Sequence, residues 1–442
     1  MGTHDLKVVN GQLVLPERVE KGDLIIDDGL ITAILKPGLS ASEQASEIID
    51  AKNYIVLPGL VDAHVHFRDP GYPKKENFAS GSLAAAAGGI TTIADMPNTN
   101  PPTTTPQRLE DKIRRAEEKC RVDFTFHGGP YWSEDPIKNS DGSLKSREES
   151  LVEMARQLLK LGVVSFKIYM PHQEGPAIPH LASLGHLLTI HAEDPAKLSD
   201  PTDGSSFAFL ASRPPEAEIS ALETILEKPP ACSLHICHIS TAAGFRQVLA
   251  AQHRGINVST EVTPHHLLLT VKDLAQIGPV AKCYPPLRST TDTEALLNAC
   301  FAGQINIIAS DHAPHTSAEK TGMDADFASA PGGIIGVETA FPLLYTKLVH
   351  QAEMTLPQLV KMMGYHPAYR FGIRNSNWIE KGQLVIGGDA DLVLFNAKSS
   401  QTIQGDKLHG KSTLTPFEGW KVQGQIQQTL LRGKTIFKRD QE

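Results

Sequence analysis

The sequence lacks a long apolar run, a paired-cysteine motif and a block of like charge. The uncharged stretch from Phe78 to Ala94 is interrupted by glycine, serine and threonine, so we predict no membrane span. The formal net charge of −8 is spread along the chain, which argues against nucleic acid or an anionic membrane as a partner. Five cysteines without a CxxC pair, and no apolar signal core near the N-terminus, predict a reduced, cytoplasmic protein.

The composition is otherwise that of a globular protein with many histidines. A length of 442 residues corresponds to about three domains, or to one large barrel with a smaller domain. Hydrophobic residues make up 40% of the chain, a share that supports a packed core. Several of the 18 histidines stand in tight groups, and these groups indicate the chemistry.

Strand-like and helix-like segments alternate through the middle of the chain. Strand-like runs end at or beside polar residues eight times, with amphipathic or alanine-rich segments between most of them. This order predicts an α/β fold, a (β/α)8 barrel of the TIM type, in which catalytic groups come from the C-terminal ends of the strands. The predicted strands are Val61–His66, Thr91–Met96, Asp123–His127, Val163–Tyr169, Leu187–His191, Ser233–His238, Asn257–Val262 and Ile305–Asp311.

Both ends of the chain are rich in short strand-like segments separated by turns. Near the C-terminus, a Gly-Gly-Asp turn is predicted to join two strands within 382–395. We predict that residues 1–57 and 383–442 form one small β-sandwich-like domain, and that residues 58–382 form the barrel. The alternative is two unrelated strand-rich tails.

The first candidate metal ligands are His64 and His66, in the sequence DAHVH. Side chains two residues apart on a strand share a face, so both imidazoles can point into the barrel mouth and hold one metal ion. An isolated HxH would more often be two satisfied polar residues. Here an apolar run precedes the pair and the sequence RDPG follows it, which favours the metal site.

Lys167 lies inside the strand-like run VVSFKIYM. Burial disfavours an ammonium group, and a neutral amine can add carbon dioxide to give a carbamate that bridges two metal ions. The alternative is a lysine that extends from the strand end to water. Lys167 alone favours that alternative, but ligand candidates on neighbouring strands favour the carbamate.

Three further candidates close later strands. His191 and His238 end the fifth and sixth strands, and His235 competes with His238 for a ligand role, although the strand-end position favours His238. Asp311 closes the eighth strand, where a carboxylate can touch a metal and exchange protons with a bound hydroxide; an isolated aspartate there would more often cap a helix. Together, the six candidates predict a two-metal hydrolase site. Their nitrogen and oxygen ligands suit zinc, and manganese or cobalt would also fit.

The chain resembles the cyclic amidohydrolases of the amidohydrolase superfamily, and within that group the bacterial, two-metal dihydroorotases. The resemblance extends essentially from end to end. It is carried by DAHVHFRDPG (62–71), GGITTIADMPNTNPPT (88–103), SFKIYM, HAED, HICHIST, EVTPHHLLLT (261–270), SDHAPH, APGGIIGVET (330–339) and GDADLVLF.

The resemblance implies two zinc ions bridged by carbamylated Lys167 and a hydroxide. His64 and His66 would hold one ion, His191 and His238 the other, and Asp311 would act as general base and acid. A small-molecule substrate, L-dihydroorotate, would be hydrolysed reversibly to N-carbamoyl-L-aspartate in pyrimidine biosynthesis. The implied substrate-binding residues are Arg68, Asn98 and His315, with backbone near Pro331 and Gly332. A homodimer is a further expectation of the family.

One position departs from the dihydroorotase pattern. Those enzymes usually carry asparagine before Pro-Pro-Leu-Arg, where this chain has Tyr284, whose hydroxyl can make a contact of a similar kind. The preceding Lys-Cys resembles allantoinase, and SFK also resembles hydantoinase. Allantoinases typically differ at Arg68, Asn98 and His315, which favours dihydroorotase. A non-enzymatic hydantoinase-like scaffold is the remaining alternative, and the six ligand candidates argue against it.

Overall fold

The computed structural model describes residues 3–129, 143–323 and 325–439. Its strands are β1 (His4–Val14), β2 (Val19–Asp27), β3 (Leu30–Leu35), β4 (Ala45–Asp50), β5 (Ile55–Pro58), β6 (Leu60–Val65), β7 (Ile90–Asp95), β8 (Asp123–Gly128), β9 (Ser165–Tyr169), β10 (Leu188–His191), β11 (Leu234–Ile236), β12 (Val258–Val262), β13 (Ile307–Ile308), β14 (Leu392–Thr402), β15 (Lys421–Leu431) and β16 (Lys434–Lys438).

The helices flank and connect these strands. They are α1 (Phe78–Ala87), α2 (Pro106–Lys119), α3 (Arg147–Lys160), α4 (Ile178–Ala182), α5 (Ser206–Ser212), α6 (Pro215–Glu227), α7 (Ala242–His253), α8 (Pro264–Leu268), α9 (Val271–Ile277), α10 (Thr290–Phe301), α11 (Ser317–Thr321), α12 (Ala340–Leu344), α13 (Leu356–Met362) and α14 (Tyr365–Phe371). Within the described ranges, no helix has the length and apolar character needed to cross a bilayer.

Strands β6 to β13 form the predicted barrel. They pair in parallel and in sequence order. The ring is closed beside its last strand, where Val65 bridges His312 and the His66 amide donates to the His312 carbonyl at 2.8 Å. The (β/α)8 prediction is confirmed, and each predicted strand overlaps an observed one. The parallel strands are buried on both faces, which is why they read as nearly continuous apolar runs in the sequence.

Local sequence signals set the helix ends around this barrel. Thr105 caps α2 through its hydroxyl, and Pro106 occupies the first turn, where a missing amide hydrogen costs nothing. Ser146 and Glu149 form a reciprocal capping box at the start of α3, and Ser289 and Asp292 do the same for α10. Each of these three helices therefore begins just after a residue whose side chain satisfies a backbone amide of the first turn.

The chain ends build a second, separate sheet. Its order is β16-β15-β14-β5-β1-β2-β3, with β4 paired to β1, and most of its pairs are antiparallel. The antiparallel pairing of β5 with β14 joins the two ends of the chain, with Val56 opposite Leu394. This pairing confirms that both ends contribute to one sheet. The exact domain boundaries at 57/58 and 382/383 stay a prediction.

One predicted strand near the C-terminus is wrong. Residues 383–386 form no strand; instead, Gly387 and Gly388 exchange backbone hydrogen bonds with Ile31 at 2.8 and 2.9 Å. Gly387 has φ of 81°, a left-handed conformation that glycine adopts without steric cost. This turn interrupts extended pairing, so only the second predicted strand continues, as β14.

A buried ionic group joins the terminal sheet to the barrel. The ammonium of Lys381 lies 2.7 Å from Asp123 at the start of β8, 2.5 Å from Asp389 and 2.7 Å from Asp391. Arg432, which follows β15, also pairs with Asp123. Buried charges are tolerated when each is paired in this way, so the contact fixes the sheet against the barrel.

Candidate active site at the barrel mouth

The six predicted ligand residues converge at the C-terminal ends of the barrel strands. His64 lies on β6, Lys167 on β9 and His191 at the end of β10. The other three follow strand ends: His66 after β6, His238 after β11 and Asp311 after β13. All six are buried, none more than 9% exposed. The strand order therefore brings together residues that are up to 247 positions apart in the sequence, as Asp311 and His64 are.

His64, His66 and Asp311 form the first half of this group. The Oδ1 atom of Asp311 lies 3.2 Å from Nε2 of His64 and 3.2 Å from Nε2 of His66. The two imidazole rings are 5.3 Å apart, as expected for alternate residues on one face of a strand. Three ligand atoms therefore meet at one point.

Lys167, His191 and His238 form the second half. The His238 ring lies 4.6 Å from the ring of His191 and 5.4 Å from that of His64. The Nζ atom of Lys167 donates to Sγ of Cys237 at 2.7 Å, beside His238. Lys167 and His238 thus lie next to the first half, as a two-metal site requires.

Glu261, at the end of β12, holds the group together and was not predicted from the sequence. Its Oε1 atom accepts from Nδ1 of His64 at 2.5 Å and from the backbone amide of His238 at 3.3 Å. Its Oε2 atom accepts from Nε2 of His235 at 3.1 Å. Because Ser259 engages the other nitrogen of His235 at 2.8 Å, that histidine has no free ligand atom. In contrast, Nδ1 of buried His238 has no partner in the described part of the chain.

Glu193 supports His191 in a similar way. It lies 2.7 Å from Nε2 of His191 and pairs with Arg213, which leaves Nδ1 of His191 as its ligand-capable atom. Burial opposes ionisation of Glu193, but His191 and Arg213 outweigh it and lower the carboxyl pKa to about 2. The only sequence signal for Glu193 and Glu261 is that each lies in one of the motifs quoted above, HAED and EVTPHH.

Three site residues have a strained backbone. Arg68, His238 and Asp311 have φ values of 60°, 30° and 47°, a region that side chains other than glycine rarely occupy. Such strain persists only where the surroundings enforce it, and it is concentrated at functional sites. The turn after each strand therefore aims these side chains into the mouth.

The predicted substrate residues fall into two places. Asn98 lies against the ligand group, with its Oδ1 atom 2.6 Å from Nδ1 of His66. Arg68 contacts His315, at 3.2 Å from guanidinium to Nε2, and donates to the Pro314 carbonyl at 3.3 Å. Their role in binding a substrate stays a prediction.

His315 connects Arg68 to the opposite wall of the mouth. Its Nδ1 atom lies 3.1 Å from the Lys75 ammonium, and in the tautomer with hydrogen on Nε2 that nitrogen donates to the Gly332 carbonyl at 3.0 Å. Burial and the nearby cations Arg68 and Lys75 lower the pKa of His315 to about 2. Tyr284 packs on Gly332, beside Pro331, and the guanidinium of Arg213 lies 4.1 Å from the centre of the Tyr284 ring.

The ligand group has the chemistry of a divalent cation site. Burial opposes a charge on His64, yet Asp311 and Glu261 raise its pKa to about 10, so this imidazole would exchange its proton for a metal ion on binding. Burial lowers the pKa of His66 to about 4 and that of His238 well below its usual value, which keeps these imidazoles neutral, as ligands must be. The residues present therefore fit bound metal, and the mostly nitrogen and oxygen donors suit zinc.

Comparison with known proteins identifies the class. A model of the amidohydrolase family matches residues 55–181 and 223–436, and the chain belongs to that family. The dihydroorotase of Methanosarcina acetivorans is 35% identical over 460 residues, which cover 99% of this chain and 92% of that relative. The allantoinase of Rubrobacter xylanophilus is 34% identical over 460 residues, which cover 99% of this chain and 95% of that relative.

A solved structure gives the same result for the fold. The L-hydantoinase (dihydropyrimidinase) from Arthrobacter aurescens has a TM-score of 0.86 and 29% identity, and the match covers 98% of this chain and 96% of that one. Family, relatives and fold agree with the site described above. The protein is a cyclic amide hydrolase.

Proposed function

We propose that this enzyme catalyses the reversible hydrolysis of L-dihydroorotate to N-carbamoyl-L-aspartate. The observation that carries the proposal is the guanidinium of Arg68. It lies at the mouth beside His315, and no carboxylate of the described residues forms an ion pair with it. A guanidinium binds a planar carboxylate through two parallel hydrogen bonds, and dihydroorotate has such a carboxylate, whereas allantoin and dihydrouracil do not.

Two zinc ions are part of the proposal. His64 and His66 would hold one, His191 and His238 the other, with carbamylated Lys167 as the bridge and Asp311 as a further ligand. Bound metal would supply Lewis acidity and an activated hydroxide. The support is the convergence of all six residues at the C-terminal ends of the barrel strands.

The chain's own residues would orient the substrate and move one proton. Asp311 is a carboxylate at the strand end, and Oδ1 can receive a proton from the attacking water and pass it to the departing ring nitrogen. His64 and His66 hold the pKa of Asp311 well below its usual range despite burial, so it starts in the base form. Arg68, Asn98, Tyr284 and His315 would contact the substrate, with backbone near Pro331 and Gly332 closing the pocket. We further propose a cytoplasmic homodimer that serves pyrimidine biosynthesis.

Allantoinase or hydantoinase activity is the second candidate. It is favoured by Tyr284, which stands where dihydroorotases usually carry asparagine, and by the similarity to an allantoinase reported above. Its substrates are cyclic ureides without a carboxylate, so Arg68 would lack a partner.

Assays of the purified enzyme against dihydroorotate, allantoin and dihydrouracil separate the candidates. We expect kcat/KM for dihydroorotate to exceed the other two values by about 100-fold or more, since losing one charged hydrogen-bonded pair costs that much. Greater activity on allantoin or dihydrouracil would refute the proposal. Metal analysis of the same preparation would show whether zinc is present at two ions per chain, which a non-enzymatic scaffold would not contain.

A further inference from the structure

Lys282 is a buried lysine that lies outside the ligand group. It is only 2% exposed, and its ammonium donates to the backbone carbonyls of Phe327 at 2.6 Å and Ala330 at 2.5 Å. A buried ammonium is costly unless hydrogen-bonded, so these two carbonyls determine where it lies. Both carbonyls belong to the segment immediately before Pro331 and Gly332.

That segment, which we call the wall loop (residues 325–333), has an internal turn, in which the Ala328 and Ser329 amides donate to Asp326, and also contacts from outside. It contains no helix or strand, and lies between α11 and the bridge residue Ile334. The Gly333 amide donates to the Lys282 carbonyl at 2.8 Å, and the Phe327 amide donates to the Gly204 carbonyl at 3.1 Å. Lys282 therefore contacts the wall loop with both its side chain and its backbone.

A second buried lysine fixes Lys282 itself. The ammonium of Lys320, in α11, donates to the Lys282 carbonyl at 3.2 Å and to the Pro279 carbonyl at 3.0 Å. Lys320 thus connects the backbone on which Lys282 stands to the helix that follows His315. The loop, Lys282 and the helix form one hydrogen-bonded unit.

The wall loop is fitted closely to Tyr284. A Cβ atom added to Gly332 would lie 2.6 Å from two carbons of the Tyr284 ring, which is closer than real Cβ contacts. The Lys282 ammonium lies 5.6 Å from the centre of the same ring. A small movement of the loop would therefore change the contact between Gly332 and Tyr284, and with it the hydrogen bond from His315 to Gly332.

We propose that Lys282 is a positioning residue that sets the shape of the substrate pocket by holding the wall loop against Tyr284 and His315. The inference rests on the proposed function in one respect: it takes the wall loop as a part of the mouth that faces the substrate. Lys282 acts through Gly332 and Tyr284. It therefore affects the binding of the substrate and of the transition state equally. Its loss should raise KM and leave kcat nearly unchanged.

The test compares Lys282→Met, Lys282→Arg and the control Lys272→Met, an exposed lysine on α9. Amide hydrogen exchange of residues 325–333 reports the loop without any substrate. We expect Lys282→Met to raise exchange there about tenfold or more and to raise KM about tenfold, as loss of charged hydrogen bonds implies, with kcat retained. Lys282→Arg can still donate to the carbonyls, so its exchange and KM should stay close to those of the unchanged protein. Lys272→Met should change neither quantity.

Unchanged exchange in folded Lys282→Met would overturn the inference, as would faster exchange with unchanged KM. Gly332→Ala provides a measurement that leaves Lys282 intact: the added methyl group should raise KM by displacing the Tyr284 ring, and an unchanged KM would also count against the inference. If the enzyme proves inactive on dihydroorotate, the proposed function fails, while the exchange result still decides whether Lys282 holds the loop.

Discussion

Replacing Glu261 by glutamine should weaken metal binding, although Glu261 is not itself one of the six proposed ligands. The carboxylate of Glu261 is fully buried and contacts three separate groups: the imidazoles of His64 and His235 and the backbone amide of His238. Burial opposes its ionisation, but the charge of His64 and the hydrogen bonds of His235 and His64 hold its pKa well below the usual range. The group is therefore an anion that orients one ligand from each half of the site.

The size of the effect follows from these contacts. The amide of glutamine has the same shape, but it is neutral and has one acceptor oxygen where Glu261 uses two. At least one imidazole then loses its hydrogen-bond acceptor. His64 also loses the negative charge of the neighbouring carboxylate, which makes its imidazole a stronger metal ligand. Loss of a carboxylate that orients a metal ligand typically lowers metal affinity by about 10- to 100-fold. Breaking a buried charge pair costs about 3–5 kcal/mol of folding free energy.

Asp23→Asn is the matched control. Asp23 is also a buried carboxylate with three hydrogen-bond donors, the Asn10 amide at 2.8 Å, the Gly38 amide at 3.3 Å and the Ser40 hydroxyl at 2.6 Å. It lies on β2 in the terminal sheet, and its donors are all neutral. Asp23→Asn should therefore lower stability without changing metal affinity.

Both quantities can be measured on the same preparations. Competition with a chelator at fixed pH gives the zinc dissociation constant, and urea unfolding gives the free energy of unfolding. If Glu261→Gln binds zinc as tightly as the unchanged protein while both variants lose stability, the carboxylate serves only the fold and the reasoning is refuted.

Three further predictions concern single side chains. Asp311→Asn should lower kcat by about 100- to 10,000-fold, the range for loss of a general base, with metal content by elemental analysis largely intact; retained activity would remove Asp311 from this role. Arg68→Met should raise KM for dihydroorotate about 100-fold and leave metal content unchanged, and an unchanged KM would separate Arg68 from the substrate carboxylate. Burial, opposed by the Tyr169 amide, raises the pKa of Glu174 to about 7. The folded protein then binds more protons than the unfolded chain between about pH 4.5 and 7, so stability falls as pH rises through that window. Glu174→Gln should therefore stabilise the protein by roughly 1–3 kcal/mol at pH 8 and by little at pH 4.5, measured by urea unfolding; equal effects at both pH values would contradict the assignment.

The barrel could be predicted because its sequence signals are local and repeated. Most parallel strands are buried on both faces and read as apolar runs, and most helix starts carry a capping side chain, as at Thr105 and Ser146. The strand predicted within 383–386 was wrong because the local signal there is not decisive. Its apolar run, Leu384 to Ile386, is typical of a strand, but the glycines at 387 and 388 turn the chain toward Ile31, a contact that local sequence cannot indicate.

The ligand candidates could be predicted because each lies in the C-terminal part of a strand or just after it, and parallel strands of a barrel end at one face. Their supporting residues could not. Glu261 serves His64, 197 positions away, and Lys282 holds carbonyls 45 and 48 positions away, so both roles depend on the closed fold. A carboxylate or an amine in the sequence has many possible partners, and only the three-dimensional contacts select among them.

These contacts divide the mouth into two parts with different mechanical support. The ligand group is fixed by barrel strands and by buried carboxylates such as Glu261, and these strands cannot shift without disturbing the barrel core. The wall that carries Gly332 is a loop held by the Lys282 ammonium, a turn around Asp326 and a few backbone hydrogen bonds. Substitutions in the wall can therefore change the shape of the pocket while leaving the ligand atoms in place. The ligand group and the wall loop are thus held by different parts of the fold. Substitutions that disturb the ligand group should mainly change kcat, and substitutions that disturb the wall loop should mainly change KM.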